Sequence, residues 1–360
     1  MPADSRRGTP LRLTIVIDAI ESPTAGTERQ LLYLLQDLDR SAVVPTLITL
    51  RRSRWIDSAA LPCPWIDVAL PPLRASAFAA RLLGLIRAIR VTRADIVQTF
   101  FRDGNLYGSI AARLAGVACL VSSRRNVGYW HSRTELALLR MLAHLTDSYL
   151  ANSHAAASVC ADQERVDPER ITVIPNALDD AMFDRPSRDA VLERRQRWGF
   201  TQSTLVIGSV GNLRRVKRFE VFVEAAASIA ARRADVGFVV LGEGPERAAL
   251  EAAIDRHGLR ERFRLPGVEA DVVPALHACD CAIMTSESES LSNALMEYMA
   301  TGRAIVTTPA GGNTELIEDG VTGLLTPIGD DRALASALLA LIDDPARRLR
   351  LGENGRARSP

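Results

Sequence analysis

Two runs of strand-length apolar segments alternating with amphipathic helical segments, separated by one break, constrain this 360-residue chain more than any other feature. The first run predicts strands at 13–17, 43–50, 96–99, 119–122, 149–152 and 171–174, with helices at 28–38, 78–89, 106–114 and 134–146. In 28–38, Leu31, Leu32, Leu34, Leu35 and Leu38 recur at helical spacing and define an inner face. Strands that alternate with helices build βα units, and therefore a parallel sheet. The alternation stops between 168 and 200, where Pro175, Pro186 and the charged stretch 188–197 read as a hinge and a short helix. It resumes with strands at 205–210, 237–241, 263–265, 281–284 and 304–307 and helices at 219–230 and 246–256. The expected fold class is α/β, with two Rossmann-like doubly wound domains at 1–178 and 179–360. A ligand is expected in a cleft between them, at the carboxyl ends of both sheets.

The length suffices for two cores of ordinary size. A hydrophobic content of 47% and a charged content of 24% suit a soluble globular protein. No apolar run approaches the roughly 18 residues of a membrane span. The first apolar run, 11–20, holds Asp18 and reads as a buried strand after a polar start, not as a secretory leader. Five cysteines are odd in number and scattered, and Cys279 and Cys281 are too close for a zinc or thioredoxin motif. Reduced thiols and a cytoplasmic chain are expected.

The net charge of +1 is unevenly spread: residues 1–140 hold 19 arginines against 11 acids, the remainder 25 basic residues against 32 acids. The basic half suggests an anionic partner such as a membrane surface or phosphate-bearing lipid, with dispersed solvated arginines as the alternative. Nucleic acid is not expected, because no basic run is interleaved with aromatics. The segment 78–89 carries Arg81 and Arg87 beside Leu82, Leu83, Leu85, Ile86 and Ile89, with Arg90 just beyond. It suits either an interfacial helix or a half-buried helix of the sheet.

Of the 44 basic residues, a single one, Lys217, is a lysine. A compact ammonium on a flexible stem is not interchangeable with a planar guanidinium. Its survival marks either a specific role or chance, and its neighbourhood favours a role. Gly208-Ser209-Val210-Gly211-Asn212-Leu213 runs from a strand into the loop that carries it. Glycines there permit tight turns and close approach of a ligand. G-x-G-x-x-G is absent, so this is not a dinucleotide fingerprint. Gly242-Glu243-Gly244-Pro245-Glu246-Arg247 is a second strand-to-helix turn. In a third segment, 287–297, Ser292 or Asn293 can cap a helix whose first amides suit a phosphate. Glu289 precedes that helix and Glu297 lies about one turn inside it. Carboxylates there suit sugar hydroxyls. The alternatives are a dipole-favoured helix-start charge and a buried, paired acid.

Taken together, these segments resemble the retaining glycosyltransferases of family 4, which have the GT-B fold. The family's E-x7-E motif is matched by Glu289 and Glu297, and its glycine-rich loop by the serine variant Glu289-Ser290-Leu291-Ser292-Asn293. The family's glycine-arginine-leucine…lysine segment is matched by Gly211…Lys217, with Asn212 in the arginine's place. Residues 309–323, the hinge 173–179 and the loop Gly26-Thr27-Glu28-Arg29-Gln30 are also similar to the family.

The resemblance implies transfer of a sugar, with retention, from a UDP- or GDP-sugar to a glycan or lipid-linked acceptor in polysaccharide biosynthesis, in the cytoplasm or at the inner face of the membrane. It implies no metal and no cofactor beyond the nucleotide-sugar co-substrate. Lys217 would stabilise charge on the diphosphate, with Arg214, Arg215 or Arg218 standing in for the arginine absent at 212. Glu289 would contact the donor sugar and Glu297 the ribose. Ser290, Leu291, Ser292 and Asn293 would offer amides to phosphate. Gly211 and Asn212 would border the donor, the turn holding Gly242 and Gly244 and the segment around Arg264 would hold the base, and Gly26 would approach the phosphates. Where many relatives have a histidine, this chain has Arg124 and Arg125, which would grip an anionic acceptor or form a surface pair. Relatives continue into a helix that crosses back to the first domain, and the ending 352–360 predicts its absence. Two other readings stay open: a nucleotide-sugar-binding or scaffold protein without catalysis, and a pyridoxal Schiff base at Lys217, against which the chain's shortness argues.

Overall fold

The structure, a computed structural model, describes residues 9–71, 76–128, 131–269 and 271–359, so most of the polar start lies outside it. The chain divides into two compact units, Met1–Ala177 and Leu178–Pro360.

In the first unit, β1 (Leu11–Ile17), β2 (Val43–Thr49), β3 (Trp65–Asp67), β4 (Ile96–Thr99), β5 (Cys119–Arg124), β6 (Ser148–Ala151) and β7 (Ile171–Val173) form one parallel sheet. Its order is β3-β2-β1-β4-β5-β6-β7, with Ile15 paired to Leu47 on one side and Gln98 on the other. A parallel sheet is covered on both faces, which is why β1 buries five residues in succession, Leu13 through Ile17. Ile15 and Ile17 pack with Leu31 and Leu35, while Val16 packs with Leu85, Ile89 and Leu120. The helix Gly26–Asp37 buries Leu31, Leu32 and Leu35 but leaves Leu34 exposed, so its inner face is narrower than its leucine content suggests.

The expected helix at 106–114 begins instead as a π-helical turn, Gly104–Gly108, and continues as the helix Ser109–Ala115. A Cβ on Gly104 would lie 3.1 Å from the Val16 carbonyl oxygen, and one on Gly108 would lie 3.1 Å from side-chain carbons of Thr99 and Val16. The turn therefore sits directly on β1 and β4. The helix Phe78–Thr92 buries Leu85, Ile86 and Ile89 against the sheet and leaves Leu83 and Val91 exposed. No helix among the described residues is long and apolar enough to cross a membrane.

In the second unit, β8 (Leu205–Val210), β9 (Val236–Leu241), β10 (Phe263–Gly267), β11 (Cys281–Met284), β12 (Ala304–Thr307) and β13 (Leu324–Leu325) run parallel in the order β10-β9-β8-β11-β12-β13. One face packs around Phe222, Phe238 and Phe263, whose ring centroids lie 5.0–5.9 Å apart. The other packs Met284 and Ile305 against Leu295, Met296 and Met299 of the helix Asn293–Ala300. The last helix, Pro345–Ala357, stays with this unit, where Gly352 abuts the Gly302 carbonyl and Arg356 donates to the Phe183 oxygen at 2.6 Å. Cys160, Cys279 and Cys281 are buried, and desolvation pushes each thiol up to about 12.

Candidate active site

In the second unit, consecutive crossovers build outward from β8 to β9 and β10, then return to place β11 on the other side of β8. The loops after β8 and β11 therefore leave the sheet at its topological switch point, at the carboxyl ends of the strands, where a doubly wound sheet binds its ligand. Three loops knit one wall. Gly211 N donates to Leu241 O at 3.0 Å, Gly242 N to Gly267 O at 2.8 Å, and Leu213 N to Glu243 O at 2.9 Å. Glycine is required at two of these points. Gly242 has φ 152° and a Cβ there would strike the Gly211 oxygen, while a Cβ on Gly244 would strike the Leu213 oxygen.

Lys217 closes a 3-10 turn, Arg215–Lys217, clamped to the loop after β11. Thr285 Oγ1 donates to Lys217 O at 2.7 Å, and Glu287 N donates to Val216 O at 2.9 Å. The ammonium donates to Glu289 Oε1 at 2.6 Å, with the lysine side chain 23% and the glutamate side chain 12% exposed. Ser292 caps the following helix, accepting from Leu295 N at 3.4 Å. Ser290, Leu291 and Ser292 are buried, Asn293 is half-buried, and Glu297 is buried one turn into the helix. Tyr298 ties that helix to β8, its hydroxyl accepting from Val210 N at 2.5 Å, and burial raises the phenol's pKa. From the 309–323 segment, Asn313 Nδ2 reaches the Thr308 oxygen at 3.2 Å, and Thr308 Oγ1 donates to the Ser286 oxygen at 2.5 Å, bracing the loop after β11. Lys217 and Glu289 thus meet at the switch point, and residues 290–293 lead from there into the helix that carries Glu297.

Other expected residues fall differently. Asn212 and Arg215 are both exposed. Arg218 is held by Glu220 at 2.5 Å and Glu287 at 3.1 Å. Arg264, expected near the base, braces the unit. Its Nε donates to the Trp198 oxygen at 2.8 Å, and its guanidinium lies 5.9 Å from the Phe200 ring centroid.

In the first unit, Gly26 opens the helix Gly26–Asp37, and Gln30 exchanges hydrogen bonds of 2.7 and 2.8 Å with Ala177. Arg124, where an acceptor contact is expected, is held by a partner within the unit. It ends β5 with its side chain 8% exposed, donating through Nη2 to Glu164 at 2.7 Å and through Nη1 to Ser122 Oγ at 2.6 Å, beside the Tyr149 ring. Desolvation disfavours the guanidinium charge, but Glu164, itself 1% exposed, more than offsets this and the pKa rises. Arg125 donates to Asn176 Oδ1, and burial pushes it down to about 10.

Sequence reasoning missed a cavity at the carboxyl ends of β4 and β5, walled by Phe101, Asn105, Arg124, Asn126, His131 and Glu135. Phe101 adopts φ 62°, a left-handed conformation rare for a bulky residue and a form of strain that gathers at functional sites. The Ser132 amide and then Arg102 hold the Glu135 carboxyl down at about 2, while burial lowers the His131 imidazole. Nothing in the local sequence signals a left-handed phenylalanine.

Two Rossmann-type units, the second carrying a lysine–glutamate pair at its switch point, define the GT-B architecture. The chain belongs to glycosyltransferase family 4: the model described as Glycosyltransferase Family 4 matches residues 24–181, and that described as Glycosyl transferases group 1 matches 204–344. It is 31% identical to the 2-deoxystreptamine glucosyltransferase of Streptomyces kanamyceticus over 74% of this chain and 73% of the relative. It is 27% identical to the UDP-Gal:alpha-D-GlcNAc-diphosphoundecaprenol alpha-1,3-galactosyltransferase of Escherichia coli, over 73% and 70%. Against the alpha-D-kanosaminyltransferase of S. kanamyceticus the identity is 32%, and the match spans 52% of this chain but only 48% of that relative. Among solved structures, Anabaena HepE in complex with UDP superposes with TM-score 0.82 at 22% identity, covering 97% of this chain and 96% of that one.

Proposed function

We propose that the chain transfers a glycosyl group from a UDP-sugar, with retention, to a hydroxyl of a glycan or lipid-linked acceptor. The 2.6 Å contact between the lone lysine and Glu289, at the switch point and next to a capped helix start, carries this reading. As the anomeric C1–O bond breaks, negative charge passes to the diphosphate. The Lys217 ammonium and the amides of 290–293 stabilise it in a partly water-excluded site. The acceptor oxygen bonds to C1 on the face the diphosphate leaves, and its proton passes to the leaving phosphate oxygen. The products are the glycoside and UDP.

UDP is preferred to GDP because HepE, of the same fold, is solved with UDP, and the E. coli relative's name specifies UDP-Gal. The cavity of the first unit suits an acceptor hydroxyl, with Asn105, Asn126 and His131 as polar partners in place of Arg124. A lipid-linked acceptor accords with the E. coli relative's diphosphoundecaprenol substrate. It also accords with the helix Phe78–Thr92, where exposed Arg81, Arg87, Leu83 and Val91 lie in a sequence with no acid from 68 to 94. Peripheral contact of this face with an anionic membrane is part of the proposal.

A thermal-shift screen of UDP, GDP and their sugars tests the donor site, because selective binding raises the melting point by mass action. UDP compounds should stabilise the protein, and Lys217→Ala should abolish the shift. An unchanged shift in Lys217→Ala, or none in the wild type, refutes the site. Asn212, in place of the family's arginine, favours the second reading, a donor-binding protein without transfer. Donor binding with no glycoside formed across an acceptor panel would select it.

A further inference from the structure

We propose that Glu289 is the residue by which the site tells a nucleotide sugar from the nucleoside diphosphate it produces, through its ion pair with Lys217. This rests on the donor-site reading. The ammonium that would hold the diphosphate donates to Glu289 at 2.6 Å, so two groups needed by different parts of the donor occupy each other. Both side chains are mostly buried, so their attraction is less screened than at a free surface.

The surroundings leave little other adjustment. Thr285 holds the Lys217 carbonyl and Glu287 the preceding Val216 carbonyl, so the freedom to swing lies in the lysine side chain. Arg218, the nearest guanidinium along the chain, is already held by Glu220 and Glu287 and does not replace Lys217 as the partner of Glu289. An ionised carboxylate only accepts hydrogen bonds. Sugar hydroxyls can therefore replace the ammonium on Glu289, which frees Lys217 to turn to the phosphates. A nucleoside diphosphate brings negative charge and no hydroxyl to this position. Either Glu289 keeps Lys217 from the phosphates, or it gives up the lysine and stands half-buried beside like charge. Both outcomes weaken UDP relative to the UDP-sugar. The pair thus exchanges partners when the donor binds and re-forms after transfer, which favours release of UDP.

Calorimetric titration of the full chain with UDP and with UDP-glucose tests this in wild type, Glu289→Gln, Lys217→Ala and the double variant. Glu289→Gln should bind UDP about tenfold more tightly, about 1.4 kcal/mol, and UDP-glucose no more tightly, while transfer slows and product inhibition by UDP deepens. The gain for UDP should vanish in the double variant, because it needs the freed ammonium. Unchanged or weaker UDP binding by folded Glu289→Gln overturns the proposal: the first outcome would leave Glu289 as a sugar contact only, the second as a simple support for the lysine. If Glu289→Gln does not fold, Glu289→Asp serves instead. Its shorter reach should loosen the pair and again favour UDP over UDP-glucose, and an unchanged preference overturns the proposal. Wild-type protein that binds neither UDP nor UDP-glucose refutes the donor site itself, a separate result from a wild type that binds both and a variant that does not shift.

Discussion

Arg124→Met separates a residue that holds the first unit together from one that holds an acceptor. Glu164, 1% exposed, faces the Arg124 guanidinium through three hydrogen bonds of 2.7–3.0 Å. Methionine preserves much of the volume and leaves that carboxylate buried without its cation. Breaking one side of such a pair costs about 3–5 kcal/mol. For a unit of this size, melting falls by roughly 2–4 °C per kcal/mol, so the first unit's transition should drop by about 10 °C. The partner test is Arg124→Met with Glu164→Leu. Replacing both charges by apolar groups removes the uncompensated carboxylate, so most of the lost stability should return. Urea unfolding followed by circular dichroism reads both effects, and acceptor KM is measured below the lowered midpoint. If Arg124→Met keeps the wild-type midpoint but raises acceptor KM tenfold or more, the arginine binds acceptor and the structural assignment is wrong.

Two further outcomes are expected. His277 is held down at about 4 by burial first and then by Arg303, Arg356 and Arg185, against an ordinary value of 6.5. Between those values the unfolded chain takes up a proton that the folded one refuses, so stability is full above pH 6.5 and lost as pH falls toward 4. At pH 5 the loss should be about 2 kcal/mol, and His277→Gln should flatten it in urea midpoints compared with pH 7. Equal acid sensitivity in both proteins would contradict this. The protein should also sediment with anionic but not zwitterionic vesicles, less in high salt and less after Arg81→Glu with Arg87→Glu. Sedimentation that ignores lipid charge would exclude the basic helix as the contact.

Much of the proposed donor site is legible in the sequence because its residues lie in short local patterns. Lys217 stands out as the one ammonium, the spacing of Glu289 and Glu297 matches a motif, and glycines mark the strand ends. That Lys217 and Glu289, 72 residues apart, touch is not legible. The contact follows from strand order, which sets β8 beside β11. The short edge strands β3 and β13 escape a sequence reading because three and two residues carry too little periodicity. The ion pair of Arg124 is not legible in the sequence, because its partner lies 40 residues away on the helix His154–Glu164, and a charged dipeptide at a strand end looks the same whether it meets solvent or a buried acid.

The sequence by itself determined the alternation that makes two parallel-sheet units, because hydrophobic period and glycine placement act over neighbouring residues. Its resemblance to the family also pointed to the side chains of the second unit proposed to hold a diphosphate and a sugar. The tertiary structure alone decided which charges are available. Burial and a distant partner turned Arg124 and Arg264 inward, brought Lys217 onto Glu289, and opened the cavity beside the strained Phe101. The physical reason is that a side chain's free energy depends on what the fold packs against it, and that partner is rarely its neighbour in the chain.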